Sequence, residues 1–329
     1  ARELGKGNKG VFTLQKPSMI PFLTYSPDRE LRERIYTAYL NRCNRGDEYD
    51  NKQLINDFIR LRTEKAHLLG YPSYAAYVVD DEMAGTTEAV YDLLEGVWVP
   101  ALESAKRELG ELDSLFRKDF PDGEFASWDW FYYAEKLRKQ KYNLDEEMLR
   151  PYFALENVRS GVFFLANRLY GITFRPIVVP VYHPEVTAFE VLDADESHLG
   201  VLYFDFFPRE GKGQGAWCGN YVEQTYRDGE RVAPVVSIVA NFTRPTGDNP
   251  ALLTLDEVET LFHEFGHALH FLFHDVKYRG LSEVEGDFVE LPSQVMENWA
   301  FNPEVLKQYA VHYRTGDVMP EALMAKIAR

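Results

Sequence analysis

The stretch LFHEFGHALHFLF, residues 261–273, contains three of the chain's eight histidines, and a fourth histidine follows at position 274. Apolar residues recur there at intervals of three and four, which predicts an amphipathic helix. Thr254 and Glu257 have the spacing of a capping box, so the predicted helix begins at Thr254. At about 100° per residue, the four histidines fall on one stripe and the apolar side chains on the opposite arc. The sequence therefore predicts a helix with one packed face and one face lined by imidazoles.

His263, Glu264 and His267 have the spacing HExxH. Two histidines one turn apart can bind one metal ion from the same rigid helix face, and the glutamate then reaches the water that the ion binds. Zinc would lower the pKa of that water to about 7. Glu264 would remove a proton from it as it attacks a carbonyl, and would later donate that proton to the leaving amine. The pattern also recurs by chance, but the separation of the histidine stripe from the apolar arc favours a metal site.

A third protein ligand is expected, because catalytic zinc usually has three such ligands and one open position. In one known class of zinc site the third ligand is a histidine six residues after the second one, but Phe273 occupies that position here. We therefore expect a carboxylate from a second helix. The segment LSEVEGDFVELPSQVMENWAF, residues 281–301, offers five candidates: Glu283, Glu285, Asp287, Glu290 and Glu297.

Periodicity alone leaves these candidates open. Glu290 has apolar neighbours on both sides, and a part-buried carboxylate favours a cation beside it. Glu297 could orient a ligating imidazole by a hydrogen bond, or it could be a solvated charge. His270 and His274 share the histidine stripe, where each either contacts a ligand or is a polar neighbour.

Composition excludes several classes of function. The chain has 52 acidic and 36 basic residues, a formal net charge of −16, which disfavours binding to nucleic acid or to an anionic membrane. No run approaches the roughly 18 apolar residues of a spanning helix. Cys43 and Cys218 do not make a disulfide framework, which fits a reducing compartment. We expect a cytoplasmic monomer, with the periplasm as the alternative location.

The pattern of apolar and polar residues changes along the chain. Residues 27–170 show helical periodicity, whereas the segments after Gly171 are rich in β-branched and aromatic residues and are punctuated by Pro, Gly and Asp. Helical patterns return at Thr254. This order predicts an α+β fold, mainly α with a small sheet, with one region at residues 1–170 and a second at 171–329.

Several segments resemble the thimet oligopeptidase family of zinc metallopeptidases. They are TLFHEFGHALH (260–270), DFVELPSQVMENW (287–299), LRTEKAHLLGYPSYAAY (61–77) and GAWCGNYVEQ (215–224). The last two also resemble its bacterial peptidyl-dipeptidase branch. The resemblance covers nearly the whole chain, and its motifs are specific.

The resemblance implies that His263, His267 and Glu290 bind one Zn²⁺ and that Glu264 is the general base. It implies a zincin-like fold with an elongated helical body and a deep channel, whose wall is formed by residues 1–170 and whose catalytic part is formed by 171–329. Such a channel admits short unfolded peptides, and the branch releases C-terminal dipeptides. The strand at 235–242 would be an edge strand that binds the peptide backbone by β-augmentation.

Two further expectations concern activity. The family's oxyanion-stabilising residues would lie beyond Arg329, so the chain looks like a fragment, incomplete at its C-terminal end. Loss of one oxyanion donor lowers turnover by about 10²–10³-fold, so we expect weak or absent activity from this chain alone. An endo-acting oligopeptidase of the same family is one alternative function. A catalytically silent helical protein that binds peptides is the other.

Overall fold

The computed structural model contains both the helical region and the strand-rich region predicted from the sequence. It describes residues 10–142 and 146–327. By its internal contacts the chain divides into two units, residues 1–143 and residues 144–329. The composition change at Gly171 marks the passage from a helix to the first strand, and both of these elements belong to the second unit. The assignment of residues 1–170 to a channel wall and of 171–329 to catalysis stays a prediction.

The described part of the first unit is helical. Three of its helices begin at Asp28, Ser73 and Thr86, whose side chains each accept a hydrogen bond from a backbone N–H three residues later. The buried carboxylate of Asp129 accepts hydrogen bonds from two arginines of the second helix. It thereby links that helix to the short turn that precedes the sixth helix. The helices are α1 (Lys16–Tyr25), α2 (Arg29–Leu40), α3 (Lys52–Leu68), α4 (Tyr74–Val79), α5 (Thr87–Asp119) and α6 (Trp130–Tyr142).

The second unit contains strands and helices. Its strands are β1 (Thr173–Ile177), β2 (Thr187–Leu192), β3 (His198–Asp205), β4 (Trp217–Val222), β5 (Thr225–Arg227), β6 (Glu230–Val232) and β7 (Val235–Val239). Its helices are α7 (Glu146–Leu149), α8 (Leu155–Tyr170), α9 (Leu255–Leu272), α10 (Glu290–Ala300), α11 (Pro303–Tyr309) and α12 (Glu321–Ile327). These elements confirm the α+β class.

The larger sheet is mixed, with the strand order β1-β2-β3-β7-β4. β7 pairs in parallel with β3 and antiparallel with β4, whereas the other pairs are antiparallel. The prediction that residues 235–242 form an edge strand is therefore wrong, because β7 lies between two partners and β4 forms the edge. The burial of four of the five β7 residues agrees with this internal place, since strands covered on both faces are apolar throughout.

Helix α9 packs its apolar arc against this sheet and against α8. Leu261, Phe262 and Phe265 are fully buried, and the Phe265 ring lies 6.3 Å from that of Phe163 in α8. Burial of each such side chain contributes about 1.5–3 kcal/mol, which fixes the rotation of α9 about its axis. The opposite face of the helix, which carries the histidines, consequently points away from the core. Among the described helices, none has the length and apolar composition needed to cross a membrane.

Candidate metal centre

The start of α9 is fixed by the predicted capping box. Thr254 Oγ1 accepts from the Glu257 N–H at 3.1 Å, and Glu257 Oε2 accepts from the Thr254 N–H at 2.9 Å. Glu257 also accepts a hydrogen bond from the Thr243 backbone, which anchors the preceding loop to the helix. The end of the helix differs from the prediction: α9 ends at Leu272, so His274 lies beyond the helix.

Helix α9 carries two histidines whose Nε2 atoms meet one carboxylate oxygen. His263 Nε2 and His267 Nε2 each lie 3.2 Å from Oε2 of Glu290, the first residue of α10. Among the described residues these three form the one group of three or more histidine, cysteine or acidic side chains whose ligand atoms all lie within 4.8 Å of one another. Of the five acids considered from the sequence, the structure thus brings Glu290 to the histidine pair.

This donor set fits a zinc ion. Two imidazole nitrogens and one carboxylate oxygen form the His₂Glu set of known catalytic zinc sites. Ligand atoms about 2.0–2.2 Å from one metal ion at tetrahedral angles lie about 3.3–3.6 Å from each other. The two nitrogen–oxygen separations of 3.2 Å are close to that value, so a small adjustment would accommodate the ion.

Glu297 holds one of the two imidazoles. Its Oε1 lies 2.6 Å from Nδ1 of His263. A carboxylate at this distance can accept the Nδ1 proton of a metal-binding imidazole, which would leave Nε2 to bind the ion. Glu297 is therefore in contact with the imidazole it was considered to orient, and it does not act as a solvated charge.

The Glu290 carboxylate is held within its own helix turn. Ser293 Oγ lies 2.8 Å from Glu290 Oε2 and 2.8 Å from the Glu290 carbonyl oxygen. This hydroxyl lowers the pKa of Glu290, and the imidazoles of His267 and His263 lower it further against the effect of burial. Pro292 occupies the first turn of α10, where its missing N–H leaves no helical hydrogen bond unmade.

Glu264 lies beside the three converging groups, between α9 and the edge strand. Its side chain is 5% exposed, and no hydrogen bond to its Oε2 is present within the described residues. Burial raises its pKa to about 7; the neighbouring His263 opposes the rise and Glu290 adds to it. Burial raises the thiol pKa of Cys218 in β4, and the charge of Glu264 raises it further.

Comparison with known proteins identifies the family. The sequence profile of peptidase family M3 matches residues 22–329. The chain belongs to peptidase family M3. This confirms the resemblance seen in the sequence, because M3 peptidases are zinc-dependent and include the dipeptidyl carboxypeptidases and oligopeptidases A.

Three relatives show how the chain compares with whole M3 peptidases. It is 40% identical to dipeptidyl carboxypeptidase of Salmonella typhimurium over 333 residues, which is 100% of this chain and 49% of that protein. It is 40% identical to dipeptidyl carboxypeptidase of Escherichia coli over 99% of this chain and 48% of that protein. It is 38% identical to oligopeptidase A of Escherichia coli over 96% of this chain and 48% of that protein. The chain thus spans about half the length of the curated relatives it matches.

The other two histidines of the segment stand apart from this M3 site. The ring centroids of His270 and His274 lie 4.9 Å apart, and burial lowers the pKa of each. Neither belongs to the group formed by His263, His267 and Glu290.

Sequence reasoning missed one polar group of the candidate site. Ser293 is fully buried against Glu290. The sequence shows only a serine three residues after the carboxylate on an amphipathic helix. Many solvent-facing serines have the same spacing, so this pattern does not single it out.

Proposed function

We propose that the protein is a zinc-dependent peptidase that hydrolyses oligopeptides and releases dipeptides from their C-termini. The observation that carries this proposal is the convergence of His263 Nε2, His267 Nε2 and Glu290 Oε2, with Glu264 beside them. The family and the names of the two dipeptidyl carboxypeptidases support it. The two cysteines agree with a cytoplasmic location, which remains a proposal with it.

The residues of the site have distinct roles in this proposal. His263 and His267 hold the ion through Nε2, Glu290 holds it through its carboxylate, and Glu297 keeps the His263 ring in the orientation that binding needs. Zinc, when bound, supplies Lewis acidity that polarises the substrate carbonyl and lowers the pKa of a water molecule.

Glu264 is the base of the reaction. It accepts a proton from the water that attacks the carbonyl carbon, and it donates that proton to the amine nitrogen as the peptide C–N bond breaks. The burial of Glu264 fits this role, because its Oε2, which has no hydrogen-bond partner among the described residues, could accept a hydrogen bond from the attacking water.

The substrate backbone would bind along β4. This strand is the edge of the larger sheet, and edge strands present unpaired N–H and C=O groups that an extended peptide can pair with. Its residue Cys218 lies near Glu264, so a peptide added at this edge would pass close to the proposed base. β4 thus takes the role that the resemblance assigned to residues 235–242.

A pair of peptides tests the proposal. The zinc-loaded protein is incubated with the same oligopeptide in two forms, one with a free C-terminus and one with an amidated C-terminus. The products are identified by mass spectrometry. The incubation is long because slow turnover is expected of this chain. Dipeptides released from the free form alone would support the proposed activity. Internal cleavage of both forms would favour the endo-acting alternative.

The isosteric variant Glu264→Gln provides the matched control. We expect it to bind zinc and peptide but to hydrolyse at least about 10²-fold more slowly, which is the low end of what a general base contributes. Equal rates for the variant and the parent would refute the role of Glu264. Peptide binding by a parent protein that holds no stoichiometric zinc and hydrolyses nothing would favour the silent binding alternative.

A further inference from the structure

Gly266 occupies a place in the HExxH segment where α9 meets the backbone of α10. A Cβ atom at this position would lie 2.5 Å from the Pro292 carbonyl oxygen, 2.6 Å from Ser293 Cα and 2.9 Å from the Pro292 carbonyl carbon. All three atoms belong to the backbone, so no side-chain rotation could make room. The two helices are therefore at a separation that admits a hydrogen atom at position 266 and no larger group.

This contact lies between the two acids that face the histidines. Glu290 comes three residues before Ser293 on α10, and Glu297 comes four residues after it, so all three share one face of the helix. Glu290 contacts both histidines and Glu297 contacts His263. The approach of the helices at Gly266 thus sets the distance over which both carboxylates reach α9.

Ser293 connects the same contact to the ligand. Its Cα touches the position of Gly266, and its Oγ, which is buried, lies 2.8 Å from Glu290 Oε2. The serine therefore transmits the position of the α10 backbone to the carboxylate oxygen that faces the two imidazoles.

We propose that Gly266 and Ser293 are positioning residues that place the Glu290 carboxylate at the metal site, Gly266 by the close approach of the helices and Ser293 by its hydroxyl. This inference rests on the proposed function, in which His263, His267 and Glu290 bind zinc. It assigns the two residues an effect on the ion through Glu290, with no contact of their own to ion or substrate.

The distances give the size of the effect. An alanine at 266 would require the Pro292 carbonyl oxygen to move from 2.5 Å to an ordinary contact of 3.4 Å, a displacement of 3.4 − 2.5 = 0.9 Å. Metal–ligand distances tolerate only about 0.2 Å. We expect Gly266→Ala to weaken zinc binding by about 10–100-fold, the range found when a partner that orients a ligand is lost.

The experiment measures metal binding by the folded protein, independently of hydrolysis. Zinc affinity is determined by competition with a chromophoric chelator, and the visible absorption of the Co²⁺-substituted protein reports the ligand geometry. Gly266→Ala is expected to weaken zinc binding by about 10–100-fold and to change the Co²⁺ spectrum. Ser293→Ala, which keeps the backbone contact, is expected to weaken zinc binding by about tenfold.

Gly161→Ala is the matched control for a crowded helical glycine. Its Cβ would lie 2.6 Å from the ring of Tyr309, whose hydroxyl donates to the carbonyl of Ala300, the last residue of α10 and the end remote from Glu290. We expect this variant to lower Tm while leaving zinc affinity and the Co²⁺ spectrum as in the parent.

The outcomes separate this inference from the proposed function. A parent protein that binds no stoichiometric zinc would refute the proposed function itself. A parent that binds zinc, with Gly266→Ala showing the same affinity and Co²⁺ spectrum, would overturn the inference alone. If Gly266→Ala does not fold, Ser293→Ala decides, and parental affinity in that variant overturns the inference. In a Glu290→Ala background, the loss of affinity caused by Gly266→Ala should be smaller, because only the contact of Glu297 with His263 can then transmit it. An undiminished loss would show that Gly266 does not act through Glu290.

Discussion

Replacement of Glu297 by glutamine is expected to weaken zinc binding without unfolding the protein. The change keeps the size of the side chain and removes the negative charge that accepts the His263 Nδ1 proton at 2.6 Å. Partners of this kind contribute about 10–100-fold to metal affinity, because they fix the tautomer and the orientation of the ligating ring. This range corresponds to about 1.4–2.7 kcal/mol of binding free energy. We therefore expect Glu297→Gln to raise the zinc Kd by at least about tenfold.

The assay is competition for zinc against a chelator at pH 7, and Glu259→Gln is its matched control. Glu259 lies one turn before His263 on α9, and the charge of Glu297 contributes to its raised pKa after burial. No hydrogen bond joins Glu259 to an imidazole in the described part of the chain, so its removal tests the loss of a nearby charge alone. A zinc Kd for Glu297→Gln that equals that of Glu259→Gln would refute the reasoning from the hydrogen bond.

Three further predictions concern stability. Burial acts to raise the pKa of Asp205, but hydrogen bonds from Arg209 and Lys212 outweigh it and hold the pKa at about 2, below the ordinary 3.8. The stabilisation is therefore present above about pH 4 and is lost between about pH 4 and 2. It amounts to about 2 kcal/mol in urea unfolding and should be absent from Asp205→Asn; an equal acid-induced loss in that variant would contradict it. Thr254→Ala should lower the free energy of unfolding by about 1 kcal/mol through loss of the helix cap. Thr260→Ala removes a half-buried hydroxyl from the same helix without removing a cap and should cost less, so equal losses would count against the capping box. Chelation of zinc should lower Tm, and zinc added at about 100 times its Kd should restore about 2.7 kcal/mol; an unchanged Tm would show that the ion does not bind the folded state.

The local features of the site could be predicted from the sequence. The capping box, the apolar arc and the histidine stripe all follow from residues within one helix, where spacing alone determines which side chains share a face. The structure has the capping box at Thr254 and Glu257 and buries Leu261, Phe262 and Phe265 as the pattern requires.

The long-range features could not be predicted in the same way. The choice of Glu290 over four other acids depends on the close approach of α9 and α10, which no periodicity reveals. The edge position of β4 depends on the parallel pairing of β7 with β3, a property of the whole sheet. The end of α9 before His274 has no glycine or proline signal, since Phe273 occupies the C-cap. In the first two cases the missing information was a contact between segments far apart in the chain.

Anomalous scattering at the zinc edge, from crystals of the zinc-loaded protein, tests the central claim most directly. The account predicts one peak within about 2.0–2.2 Å of His263 Nε2, His267 Nε2 and a carboxylate oxygen of Glu290. A peak elsewhere, or a peak at the two histidines completed by another acid while Glu290 points away, would contradict it.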